Sequence, residues 1–202
     1  MRTQRFGQTS GGLRRIPDRL TKAWYAKDMA ARIGEWRHVW TAAEVAEIEA
    51  AVQSVMDRDL DLLQIGAAEF PLQKAAQTLR RAEQFILHGH GFFVLRGLPI
   101  AEWSLRWAAI VFWGLGAHMG QACSQNGKGH VLGHVKNLGL DYGRSDVRGY
   151  QTSARLPYHT DSSDIAALLC WRPSKSGAAH LSPPRPRSTT KSVPAAPICW
   201  QF

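Results

Sequence analysis

The chain of 202 residues is poor in cysteine, with only Cys123, Cys170 and Cys199, and none is paired in a C-x-x-C arrangement. An odd number of scattered thiols excludes a disulfide framework and a zinc knuckle, and it suits a reducing compartment, so the expected location is the cytoplasm. Long hydrophobic runs are also missing. The most apolar window, "WAAIVFWGLG" at 107–116, is about half of what a membrane span needs, so no membrane partner is expected. There is no G-x-S-x-G elbow, and Ser162 and Ser163 beside Asp164 read as turn or capping residues. Gly114, Gly116 and Gly120 have the wrong spacing for a nucleotide loop and follow a helix instead of a strand.

Acidic residues are scarce at both ends. The formal charge of +9 comes from Arg2, Arg5, Arg14, Arg15, Arg19 and Lys22 against Asp18, and from Arg172, Lys175, Arg185, Arg187 and Lys191 with no acid nearby. The segment between is close to neutral, which excludes a basic groove in the folded part and with it nucleic acid as a partner.

What is present is ordered along the chain. Residues 1–21 lack periodicity and read as a loose basic leader. Thr41 and Glu44 form an S/T-x-x-E capping box, followed by Val45, Ile48, Val52 and Val55 at helical spacing. A second helix is predicted from near Pro71 to near Gly89, with His88 and His90 at its end. "GFFVLRGLP" (91–99) reads as a buried strand, and 101–116 as a helix with Leu105, Ala109, Phe112 and Trp113 along one side. "GHVLGHVKNLG" (129–139) reads as a strand carrying His130 and His134 as polar-face residues, and "DIAALLCW" (164–171) as another apolar strand. Helices first and strands later predict an α+β domain.

Composition breaks after Gly177. Residues 178–202 hold Pro183, Pro184, Pro186, Pro194 and Pro197, a density that neither a helix interior nor a central strand tolerates. This segment is expected to be a disordered tail outside any packed core.

One short pattern has the spacing of a metal site, although spacing alone is equally met by a His and an Asp at a solvated strand start. In "LPYHTDSSD", His159 and Asp161 are two residues apart, a spacing that on a strand points both side chains to one face. An imidazole and a carboxylate, joined by one further His, make the facial triad that suits non-heme Fe(II). The stretches "AWYAKDMA", "HGHGFFVLRGLP", "WGLGAHMGQACSQNGKGHVLGHVKNLG" and "RGYQTSARLPYHTDSSDIAALLCWRPSKSG" together resemble the TauD/TfdA-like (clavaminate-synthase-like) Fe(II)/2-oxoglutarate-dependent dioxygenases over residues 22–177. The resemblance implies the N-terminal part of a double-stranded β-helix, or jelly roll, with flanking N-terminal helices. It implies Fe(II) held by His159 and Asp161, 2-oxoglutarate as co-substrate, and a small organic substrate oxidised as 2-oxoglutarate is decarboxylated to succinate. Gln151, Thr152 and Arg155 are similar to residues near the family's substrate pocket.

The family's distal His and its co-substrate-binding Arg belong to strands beyond the position of Gly177. His180 stands in a proline-rich segment unsuited to such a strand. The expectation is therefore a reading frame that shifts or stops near residue 177, leaving an incomplete core, weakened iron binding and unpaired apolar edges such as "DIAALLC". The alternative function is a catalytically inactive fragment or binding module of the same fold; the sequence sets no oligomeric state. Reading the coding DNA in the other two frames beyond codon 177 should reveal a strand-rich continuation with a His and an Arg. Two frames without one would dispose of the frame shift.

Overall fold

The computed structural model describes residues 24–124, 130–156 and 163–172, and the backbone of 198–201. The expected leader at 1–21 lies outside these residues, as does the tail except for Ile198–Gln201. Two short helices, α1 (Ala26–Ala31) and α2 (Ile33–Trp36), lead into strand β1 (Arg37–Val39). Helices α3 (Ala42–Asp57) and α4 (Lys74–His88) follow, then strand β2 (Val94–Arg96), helix α5 (Leu105–Ala117) and strands β3 (Leu132–Gly133), β4 (Ile165–Leu168) and β5 (Ile198–Gln201). β1 and β2 pair in parallel, and β5 lies between β3 and β4 in a second parallel sheet.

Helix α3 begins where the capping box places it. The Glu44 backbone N–H donates to Thr41 Oγ1 at 3.2 Å, and the Thr41 N–H donates back to Glu44 Oε2 at 2.8 Å. Glu44 then does more than cap. It is buried, with the Thr78 hydroxyl of α4 donating to Oε1 at 2.6 Å and His38 Nε2 lying 3.0 Å from Oε2. Burial pushes its pKa up, but the hydrogen bonds from Thr78, the Thr41 backbone, His38 and the Thr41 hydroxyl outweigh this and hold it at about 2.

One turn further on, the Glu47 carboxylate accepts from the backbone N–H groups of Gln73, Lys74 and Ala75 at 2.7, 3.2 and 2.8 Å. These are first-turn donors that a helix leaves unsatisfied. Burial opposes ionisation here too, yet the three N–H donors keep Glu47 below the usual carboxylate range. α4 therefore starts at Lys74, later than the local signal at Pro71 suggests, because its cap is supplied by α3. Its end falls as expected, with His88 last and Gly89 following.

The main core gathers Ile48, Val52 and Val55 of α3, Phe70 and Leu79, and Ile110 and Val111 of α5. α5 departs from the one-sided helix expected. Residues Ala108–Gly116 are all buried, whereas Leu105, expected on the apolar side, is 49% exposed. The reason is that α5 is covered on two sides. One faces α3 and α4; the other, through Ala108, Ala109 and Phe112, meets Ile165 of β4. A helix apolar all round is one enclosed on all sides. Gly114 brings it close to Phe70, since a Cβ there would lie 2.5 Å from the Phe70 Cγ.

The strands are shorter than the apolar runs. β2 keeps three residues of 91–99, ending at Arg96 just before Gly97 with φ +93°, and β3 keeps two of 129–139. β1 carries no strand signal and forms by backbone pairing with β2, register Arg37↔Val94 to Val39↔Arg96. "DIAALLC" does not stand unpaired: β4 pairs with β5 from Ile165↔Ile198 to Leu168↔Gln201. Proline density argued against structure in 178–202, but those four residues lie past Pro197 and begin with Ile-Cys-Trp. β4 also alternates, with Ile165 buried and Leu168 56% exposed, so it is a half-buried strand.

Two outcomes follow for stability. Because the folded pKa of Glu44 lies below its ordinary value of 4.5, its contribution is complete above about pH 4.5 and disappears as pH falls towards 2. Thermal melts across that window should show the wild type losing at most about 3 kcal/mol from this group, a loss that Glu44→Gln does not share. Gly114→Ala gains about 1 kcal/mol of helix propensity but overpacks the buried Phe70 ring at a cost of roughly 1–3 kcal/mol. The urea midpoint should therefore fall, and a rise would show that Phe70 has room to move.

Candidate active site

The segment that leads towards His159 and Asp161 is built as a braced loop. Residues 136–138 run beside 150–151, with the Lys136 N–H donating to Tyr150 O at 3.1 Å and the Leu138 N–H to Gln151 O at 2.8 Å. A single 3₁₀ turn, Gly149–Gln151, follows Arg148. Gln151 Oε1 reaches back to accept the Arg148 N–H at 2.9 Å, which is the local capping interaction of that turn. The Thr152 hydroxyl donates to Gly149 O at 2.9 Å and accepts the Ala154 N–H at 3.1 Å.

Gly149 is needed for the closure. A Cβ at this position would lie 2.2 Å from Leu156 Cδ2, so any side chain there must displace Leu156. The sequence reading missed this glycine, and the turn signal around "RGY" was the cue to it. Nearby, Arg144 grips Asp146 through two hydrogen bonds of 3.0 and 2.8 Å and lowers its pKa.

Of the five residues singled out from sequence, the structure brings Gln151 and Thr152 together in this brace and leaves Arg155 exposed. His159 and Asp161 lie outside the described residues. Beyond them, Ser163 Oγ donates to Ile165 O at 3.3 Å, and the chain enters β4, which rests on α5. His130 and His134 flank β3 and are exposed. Among the described residues, no three His, Cys, Asp or Glu side chains converge as a metal-binding group. No helix among them is long and apolar enough to cross a membrane.

A cleft of about 430 Å³ opens beside α5, lined by Ile65, Gly66, Trp113, Ala117, Gln121 and Val131 among others. Its wall is fixed by Trp113 Nε1 donating to Ile65 O at 3.0 Å. At the end of α5, His118 Nε2 donates to Phe70 O at 2.7 Å. Neither bond has a local sequence signal, since each joins residues 48 apart.

Helices packed on short strands, with a loop closed at Gly149, define the class: an α+β protein. Residues 57–181 match the family described as "Taurine catabolism dioxygenase TauD, TfdA family". The chain belongs to that family. It is 32% identical over 144 residues to FR-33289 synthase of Streptomyces rubellomurinus, covering 71% of this chain and 42% of that protein. It is 30% identical over 146 residues to the taurine hydroxylase-like protein SAT17 of Stachybotrys chartarum, covering 69% of this chain and 38% of that one. The match thus spans about two fifths of either relative.

Membership implies a jelly-roll fold. The described residues contribute mixed helix and strand. Their strand pairs are all parallel, whereas a jelly roll is an antiparallel architecture, so the roll is known from the family and not from these strands.

Proposed function

We propose that this chain carries the proximal part of the active site of an Fe(II)/2-oxoglutarate-dependent dioxygenase acting on a small organic molecule. The observation that carries the reading is the family match over 57–181, which includes the His159-Thr160-Asp161 triplet. The donor chemistry fits: an imidazole and a carboxylate are the ligand types of a non-heme ferrous site. His159 and Asp161 would hold the ion. When bound with 2-oxoglutarate and oxygen, the metal supplies the oxidising chemistry that converts the co-substrate to succinate and oxidises a substrate C–H bond.

The role of this chain's residues is to bind and to orient. His159 must be neutral and Asp161 ionised to act as donors, so metal uptake should weaken as acid protonates the imidazole. The braced loop at 148–156 and β4 bracket the pair in sequence, and α5 supports β4 through Ile165.

The distal His and the arginine that would complete the site are not assigned to any residue of this chain. An incomplete core is part of the proposal, with 22–177 as the N-terminal portion of the dioxygenase domain.

The decisive experiment measures succinate released from 2-oxoglutarate by the purified chain with and without Fe(II). Iron-dependent release that disappears in His159→Ala and Asp161→Ala, by at least about a hundredfold, is the expected result for loss of a direct ligand. No release above the metal-free control would make the chain a non-catalytic module of the same fold. Release that survives both substitutions would remove the two residues from the site.

A further inference from the structure

Gln151 and Thr152 stand where the family resemblance suggests substrate contacts, but the structure commits their oxygen atoms elsewhere. A threonine hydroxyl has one proton to give. Here it goes to Gly149 O, while the same oxygen takes the Ala154 N–H. The Gln151 side-chain carbonyl is likewise engaged by the Arg148 N–H. The backbone repeats the pattern, with the Gln151 N–H donating to Arg148 O at 2.9 Å and the Thr152 N–H to Gly149 O at 3.1 Å. Two residues therefore tie down both ends of one turn, and the Tyr150 and Gln151 carbonyls stitch that turn to 136–138.

We propose that Gln151 and Thr152 are positioning residues: they fix the Arg148–Leu156 loop so that the chain leaves it at Leu156 in one direction, three residues before His159. The inference rests on the reading of His159 and Asp161 as metal donors. Its physical content is that a metal site pre-formed by a rigid approach loses less conformational freedom on binding than one reached by a loose loop. Gly149 belongs to the same device. With no side chain it lets Leu156 fold back against the turn, so the loop closes on itself before continuing.

Two readouts on the full chain separate this role from the metal assignment. The first is amide hydrogen exchange of Arg148 and Ala154 without metal. The second is the affinity for Co(II) alone, followed by its visible absorption bands. Thr152→Val should accelerate exchange at Ala154, and Gln151→Met at Arg148, by about tenfold for a lost hydrogen bond. Each should weaken Co(II) binding by about tenfold, the low end for a group that supports a ligand from behind, while Thr152→Ser keeps both properties.

The proposal is overturned if both variants open their amides yet bind Co(II) as tightly as the wild type. It is overturned equally if the two amides exchange freely in the wild type. A wild type that takes up no Co(II) defeats the assignment of His159 and Asp161, and the positioning role with it, whereas protected amides would still report the brace alone.

Discussion

Two carboxylates on one edge of α3 organise the helical half of this protein. Glu47 occupies the first turn of α4 as a capping group would, but from another helix, and Glu44 ties Thr78 of α4 and His38 of β1 to the same edge. Because ionised carboxylates accept stronger hydrogen bonds than neutral groups, this edge sets where α4 starts and how it lies against α3. The apolar residues then fill a space whose outline is already fixed. Without these two acids, Ile48, Val52 and Val55 would still seek burial, but nothing polar would choose the offset between the helices.

α5 converts that local arrangement into support for the rest of the chain. One side completes the core with α3 and α4, and the other carries β4, the strand that follows the His-x-Asp triplet. The close approach at Gly114 and the indole bond from Trp113 to Ile65 make α5 a fixed wall, not a freely sliding helix. In sequence, the candidate pair is flanked on one side by β4, which rests on α5, and on the other by the 148–156 loop stitched to 136–138.

Much of the helical architecture was legible because its signals are local. The Thr41–Glu44 box, Gly89 after α4 and the apolar stretch of α5 each act within a few residues. The start of α4 was misplaced because its cap comes from Glu47, 26 residues earlier than Gln73. β1 was invisible because Arg37-His38-Val39 has no alternation and pairs through backbone alone. For the site, it is the family resemblance of the longer stretch, not the two-residue spacing, that singles out His159 and Asp161. Whether Gln151 and Thr152 face a substrate or their own backbone depends on turn geometry that no spacing rule encodes. The same reasoning explains β5. Proline counting describes a segment on average, and Ile198–Gln201 sits just past its last proline.

The place of β5 sets an order of assembly. β3 and β4 do not touch as neighbours; each is joined to the sheet only through Ile198–Gln201. The helical cluster closes over contacts made by residues 40–115, whereas this sheet waits for a strand translated after both of its partners. During synthesis the helices can be complete while the ribosome still conceals the central strand. Until it emerges, β3 and β4 lack the backbone neighbour that joins them.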